Sequence, residues 1–246
     1  SSSAASDVYK RQAKTLDYMD ALSQGMERRI SKAPFYLKPF VKIEATRLKR
    51  YEHFIFNNFD HKVIISEQDR ELIVHAKNQE VKIIRNGVNE NFYQPVDQEA
   101  EFELLFTGNM SYPPNIDGVC YLAEKILPLL LITHPNIKLV IAGAKPSQTV
   151  QKLASKNIII TGWVDDIRDY YAKTKIFIAP MQIGTGLQNK LLEAMSMRIP
   201  CITSPLANNA LQAIHGQSIL IGNNPIEYKD LICLLYTSDA ADEEDS

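Results

Sequence analysis

The chain has 246 residues, room for two domains, and carries 27 Lys+Arg against 29 Asp+Glu, a formal net charge of −2. A balance this close to neutral argues against a surface that attracts nucleic acid over the whole molecule, and no run of about 18 apolar residues marks a membrane-spanning helix. Its three cysteines show neither a disulfide framework nor metal-ligand spacing, which fits a reducing compartment.

The two ends read as foreign to the rest. "SSAASDVYKRQ" (2–12) and "CLLYTSDAADE" (233–243) each back-translate into one strand of a single inverted repeat, which resembles the transposase adapter used to prepare sequencing libraries. Residues 1–12 and 233–246 are therefore expected to be adapter-derived and non-native. The native stretch, about 13–232, is expected to be cut from the middle of a longer gene. Cys233 falls in the second end; Cys120 and Cys201 lie in apolar surroundings and are expected in the core.

Residues 13–80 are charged and helix-like. The pattern suggests helices around 15–30 and 36–57 ("YLKPFVKIEATRLKRYEHFIF"), a strand "KVIIS" (62–66) and a helix-like "EQDRELIVHA". From 81 onward short β-branched runs alternate with amphipathic segments. Strands are predicted at 82–84, 103–108 ("ELLFTG"), 137–143 ("IKLVIAG"), 157–162 ("NIIITG"), 175–180 ("KIFIAP"), 200–204 ("PCITS") and 218–222 ("SILIG"). Helices are predicted at 113–131, 146–154, 165–173, 186–197, 206–214 and 225–232. Continuous apolar strands separated by helices predict an α/β fold, a doubly wound parallel sheet covered on both faces.

Ligands of such sheets bind outside the carboxyl ends of the strands. Gly108, Gly143, Gly162, Gly184 and Gly186 all fall in or beside those loops, half of the ten glycines, although strand–helix turns favour glycine in any case. The join "IGTGLQNKLLEAM" (183–195) admits two readings. Thr185 and Gln188 form a T-x-x-Q capping box, with Lys190 and Glu193 as an exposed ion pair three residues apart; on this account the segment only starts a helix. Alternatively, a glycine-bearing helix N-terminus offers N–H groups to an anion. Lys190 then adds a full charge and Glu193, one turn on, accepts hydrogen bonds from sugar hydroxyls. Phosphate and polyol together describe a nucleotide sugar.

The same join, with "NKLLEAMSMRIPCITS" (189–204), resembles the donor-site signature of family 4 retaining glycosyltransferases, enzymes of the two-domain GT-B fold. "RNGVNENFYQP" (85–95), "FTGNMSYPPNIDG" (106–118), "VIAGAKP" (140–146) and "ITGWVDDIRDYY" (160–171) follow that family's order. The likeness is closest to the sugar transferases of bacterial exopolysaccharide and PEP-CTERM systems, and covers 62–232 well and 13–61 loosely. It implies that 13–80 is the C-terminal part of an acceptor domain, 81–100 an interdomain connection and 101–232 a Rossmann-like nucleotide-sugar donor domain.

The resemblance also assigns roles. Gly108 and Asn109 would lie against the diphosphate, and Trp163 and Val164 would edge the nucleobase. Gly184, Thr185, Gly186, Leu187, Gln188 and Asn189 would wrap the donor sugar and phosphates. Lys190 would neutralise the departing diphosphate, and Glu193, the second glutamate of an E-x7-E motif, would hold the ribose. Three departures stand out. The first glutamate of that motif is Thr185. The cations often found after the first donor-domain strand fall near Asn109 and Asn115. The acceptor half lies upstream of the expected cut, so the fragment is expected to be inactive alone.

The implied activity is hexosyl transfer, with retention, from a UDP- or GDP-type sugar to a saccharide or lipid-linked acceptor in cell-surface glycan synthesis. It calls for no cofactor, no metal and no nucleic acid, and for a cytoplasmic enzyme, peripheral at the inner membrane face if the acceptor is lipid-linked. A nucleotide-sugar 2-epimerase-type enzyme and a non-catalytic nucleotide-sugar-binding subunit remain the alternatives; a dehydrogenase is disfavoured because no G-x-G-x-x-G opens the first βα turn.

Other candidates have plainer explanations. Asp165 or Asp166 is expected to cap a helix and Asp169 to be solvated. His53, His61, His75, His134 and His215 are scattered. Lys38, Lys42, Arg47, Lys49 and Arg50 among Phe40, Val41, Ile43 and Leu48 form a basic amphipathic stretch that would suit an anionic membrane. Ordinary solvated charge, with lysine stems covering core, is the favoured explanation, because Glu44 and Glu52 dilute the positive face.

Overall fold

Residues 12–19, 21–183 and 186–244 are described by the structure, a computed structural model. The chain divides into two compact units: one runs to Asn86 and takes in Gly186 and Leu187, and the other comprises the residues from Gly87 onward apart from that short loop.

In the first unit, β1 (Thr15–Asp17), β2 (His61–Ile64) and β3 (Lys82–Ile83) form a parallel sheet in that order. Residues 15–17 were expected to be helical and are not. They pair with His61, Lys62 and Val63, partners that local periodicity cannot reveal. Met19, at φ 55°, then turns the chain out of helical geometry before α1 (Leu22–Lys32) begins. Pro39 stands in the first turn of α2 (Lys38–Phe56), where a missing N–H costs nothing. After β2, α3 (Glu67–Leu72) opens with Ser66 Oγ accepting the Asp69 N–H, and Tyr18, Phe56, Ile64, Ile73 and Val81 form a small core. Glu52 does not dilute a positive face, as the helical pattern suggested: it is buried, and its Oε1 accepts the Ser23 N–H at 3.0 Å. A carboxylate from α2 thereby satisfies one of the unpaired donors at the start of α1, whose own N-cap, Ala21, has no side-chain acceptor.

The second unit is built on six parallel strands: β4 (Phe102–Thr107), β5 (Leu139–Ala142), β6 (Ile158–Gly162), β7 (Thr174–Ala179), β8 (Cys201–Thr203) and β9 (Leu220–Ile221). Their order is β6-β5-β4-β7-β8-β9. The chain lays down β4, β5 and β6 to one side, then returns to place β7 against the other edge of β4, with Leu104 opposite Ile176 and Leu105 opposite Phe177. This is the Rossmann order, and the reversal between β4 and β7 is the topological switch point. Every predicted strand from 103 onward is present within a few residues of its expected limits. The strands are mostly apolar because helices cover both faces: Leu104, Leu105, Phe106, Ile141, Phe177 and Ile202 are inaccessible to solvent.

The predicted helix over 113–131 is present but interrupted. α4 (Pro113–Tyr121) passes through a π turn at Leu122–Ile126 into α5 (Leu127–Leu131). Pro128 explains the interruption: it has no N–H to donate and its ring crowds the carbonyl four residues back, so the ladder shifts by one residue and Leu127 N–H bonds Leu122 O. α6 (Gln148–Gln151), α7 (Arg168–Ala172), α8 (Asn189–Ser196) and α9 (Pro205–Leu211) follow their strands. The last helix, α10 (Pro225–Glu244), continues well past 232, with Tyr228 and Ile232 in the core. Cys201 is buried as expected, whereas Cys120 is only half-buried beside the charges of Glu124 and Asp117, its thiol pKa raised chiefly by burial.

Candidate functional site

Three glycines mark the carboxyl ends of adjacent strands. Gly108 follows β4 and donates its N–H to Ala142 O; Gly143 follows β5 and donates to Gly162 O, both at 3.0 Å. Gly108 and Gly143 have φ of 149° and 139°, conformations open to glycine and costly for any other residue. They also leave no room: a Cβ on Gly143 would lie 1.9 Å from Gly108 O, and one on Gly108 would lie 2.6 Å from Asn115 Nδ2 and 3.2 Å from Lys190 Nζ. Bare backbone at the switch point thus stands directly beside an ammonium group.

Lys190 is the second residue of α8, the helix that follows β7. Its ammonium donates to Asn115 Oδ1 at 2.6 Å and lies 4.2 Å from the centroid of the Phe106 ring. The residue as a whole keeps some exposure, and its ammonium packs between Asn115 and the Phe106 ring. Burial therefore lowers its pKa to about 7, an effect only partly offset by the negative charge of Glu193. Asn115, buried in the first turn of α4, turns its amide nitrogen to Asn109 O at 3.0 Å. Asn109 uses its own side chain to close the turn, accepting from Ser111 N at 3.0 Å and Ser111 Oγ at 2.8 Å.

Glu193 lies one turn further along α8, and its Oε2 accepts the Tyr171 hydroxyl at 2.9 Å. The exposed Lys190–Glu193 ion pair of the plainer sequence reading does not form; each group has a partner from another element. The capping box does not start the helix either. α8 begins at Asn189 rather than 186, and its N-cap, Gln188, makes no side-chain cap bond. Gly184 and Thr185 lie outside the described residues. Gly186 and Leu187 group with the first unit and are partly buried. Asn189, at the head of α8, is exposed.

After β6, Trp163 is 76% exposed, leaving its ring free to stack, and Val164 is partly buried. The N-cap of α7 is Ile167, which makes no side-chain cap bond, so neither Asp165 nor Asp166 caps the helix as expected; Asp166 accepts the Arg168 N–H at 2.9 Å and grips the Arg168 guanidinium, which holds its carboxyl below the usual range. Asp169 is exposed. Among the described residues, no three His, Cys, Asp or Glu side chains gather as a metal site, and no helix is long and apolar enough to cross a membrane. Asn115, Tyr171 and Tyr93 were not singled out as site residues from sequence. Asn115 read as a missing cation, and the tyrosines drew no reading of their own; no spacing links them to α8.

The family model for glycosyl transferases group 1 matches residues 101–238. An uncharacterized 44.6 kDa protein in the cps region of Klebsiella pneumoniae is 26% identical over 132 residues, 50% of this chain and 34% of that one. Anabaena HepE, crystallised with UDP-glucose, superposes with a TM-score of 0.65 at 14% identity, covering 95% of this chain and 64% of its own. Sucrose-phosphate synthase from Thermosynechococcus elongatus gives 0.65 at 13% identity, with 92% and 59% covered. The chain therefore spans less than two thirds of each of these proteins, and at such identities the structural likeness is one of fold, α/β of the GT-B type. By the match over 101–238, the chain belongs to the glycosyl transferases group 1 family.

Proposed function

We propose that the second unit binds the nucleotide part of a nucleoside-diphosphate sugar and supports transfer of the sugar to a saccharide or lipid-linked acceptor. One observation carries this reading: the Lys190 ammonium, 3.2 Å from where a side chain on Gly108 would begin, at the switch point where such sheets bind ligands. Gly108 and Gly143, at φ of 149° and 139°, add no side chain of their own there, so a diphosphate can reach Lys190 over bare backbone.

In the reaction, the bond from the anomeric carbon to the diphosphate oxygen breaks and one from the same carbon to the acceptor oxygen forms. Negative charge grows on the departing diphosphate, where Lys190 stabilises it; a fixed charge in a site from which water is excluded is worth far more than in bulk water. Gly108 and Asn109 present backbone to the phosphates, and Glu193 accepts from ribose hydroxyls. Trp163 and Val164 border the base. By the family resemblance, Gly184, Thr185, Gly186, Leu187, Gln188 and Asn189 are assigned to contacts with the donor sugar and phosphates. Retention at the anomeric carbon, a UDP- or GDP-type donor without further cofactor, and a role in exopolysaccharide synthesis complete the proposal. The cps-region relative and the UDP-glucose complex of HepE support it by likeness.

Thermal unfolding with UDP, GDP and ADP in turn tests the reading. A ligand present at 100 times its dissociation constant stabilises by about 2.7 kcal/mol. Stabilisation by one diphosphate that is lost in Lys190→Ala is expected; a folded chain indifferent to all three would remove the proposed site.

A further inference from the structure

Tyr171, distant in sequence from α8, holds the carboxylate of Glu193, and Tyr93 packs beside it. Tyr171 is fully buried, with its hydroxyl 2.9 Å from Glu193 Oε2, 2.8 Å from Thr107 Oγ1 and 3.3 Å from Lys190 O. Burial first, and the Glu193 charge second, push its pKa well up, so the proton stays on the tyrosine. Tyr171 therefore donates toward Glu193, and Thr107, with one hydroxyl proton of its own, donates to Tyr171.

Tyr93 lies near the same carboxylate. Burial first, and the Glu193 charge next, push its pKa up to about 12, so it keeps its proton. The backbone of Tyr93 is tied down: Ser196 Oγ donates to its carbonyl at 2.8 Å. Its ring meets that of Tyr171 edge-on, at 6.2 Å between centroids.

A carboxylate offers about four lone-pair positions. The Tyr171 hydroxyl uses one of them, leaving acceptor capacity for the two O–H groups of a vicinal diol. Both tyrosines are neutral. They orient the carboxylate without cancelling its charge, so it remains the stronger, charge-assisted kind of acceptor. A lysine or arginine in their place would fix the group equally well but weaken its pull on a neutral hydroxyl.

We propose that Tyr171 and Tyr93 are positioning residues that aim Glu193 at the ribose diol of the donor nucleotide, with Thr107 setting the direction of the Tyr171 proton. This rests on the donor-site reading above. A tyrosine that merely completes a core would alter stability and leave ribose recognition unchanged.

The test is calorimetric titration of the whole chain with UDP and GDP and with their 2′-deoxy counterparts, for the native protein, Tyr171→Phe and Tyr93→Phe, with an unfolding curve for each. The native chain should prefer ribose over deoxyribose by about tenfold, the value of one well-made hydrogen bond. Each Phe variant should lose most of that preference while binding the deoxy form almost as the native chain does. A folded Phe variant that keeps the full preference would overturn the tyrosines' role and leave the donor site standing. A native chain that binds both forms equally would overturn the ribose contact, and with it this proposal, while the diphosphate site stands. Absence of binding to either ribonucleotide would sink both. Should Tyr171→Phe fail to fold, Tyr93→Phe decides the question.

Discussion

The Lys190 ammonium and the Asn115 amide, 75 residues apart in sequence, meet at 2.6 Å. Asn115 offers the ammonium a hydrogen bond but no countercharge. That combination keeps the cation at the switch point un-neutralised, and it explains how burial lowers its pKa to about 7.

Stability should therefore depend on pH in a way traceable to this one side chain. A lysine in the unfolded chain titrates near pH 10.4. Between about pH 7 and pH 10 the unfolded chain binds a proton that the folded chain does not, so stability rises with pH across that window. Urea denaturation at pH 7, 8 and 9 should show Lys190→Met more stable than the native chain at pH 7, with the gap closing as the pH rises. A pH-independent difference between the two would show that Lys190 titrates normally.

Diphosphate binding should carry the opposite signature. A bound dianion favours the ammonium, so binding takes up a proton above pH 7, and affinity should fall by up to about tenfold per pH unit. In Asn115→Asp a carboxylate faces Nζ. The lysine then stays charged, the pH slope near 7 disappears, and affinity drops about tenfold or more because the added charge repels the ligand. Titrations with UDP or GDP at pH 6, 7 and 8 read both effects.

The glycine ladder predicts unequal costs for one substitution. In Gly143→Ala the new Cβ would sit 1.9 Å from Gly108 O, and backbone cannot yield as a flexible side chain does. A loss of about 3 kcal/mol or more is expected. Gly162→Ala meets nothing within 4 Å, and only its φ of 72° penalises it, by about 1–2 kcal/mol. Thermal unfolding of the two variants checks the ranking.

Arg168 should matter for the segment that carries Tyr93. Its guanidinium lies 3.9 Å from the centroid of the Phe92 ring, donates to Phe92 O at 3.2 Å and is paired with Asp166. Replacing it with Met keeps an apolar stem but removes these contacts, at a cost of about 1 kcal/mol. Limited proteolysis near residues 87–93 should speed up; an unchanged cleavage rate would show that other contacts hold the segment.

The strands from 103 onward were legible because a parallel sheet covered on both faces requires unbroken apolar runs, and "ELLFTG" or "KIFIAP" fit little else. Lys190 and Glu193 stood out because a cation and a carboxylate beside glycines at a strand–helix join are unusual for packing alone. The start of α8 was misjudged: the T-x-x-Q pattern points to a helix at 186, but the first helical residue is Asn189. The strand at Thr15–Asp17 was missed for a related reason, since its identity depends on pairing with His61–Val63 and not on its own composition.

By itself, then, the order of residues determined the α/β class, the strand sequence and the charged groups of the candidate site, all properties of periodicity and residue type. Only the tertiary structure decided what those groups touch. The strand order that sets β7 against β4 places Lys190 beside Asn115 and Gly108, and Glu193 beside Tyr171 and Tyr93. Such partners are selected by packing across the sheet, where sequence separation carries no information about distance.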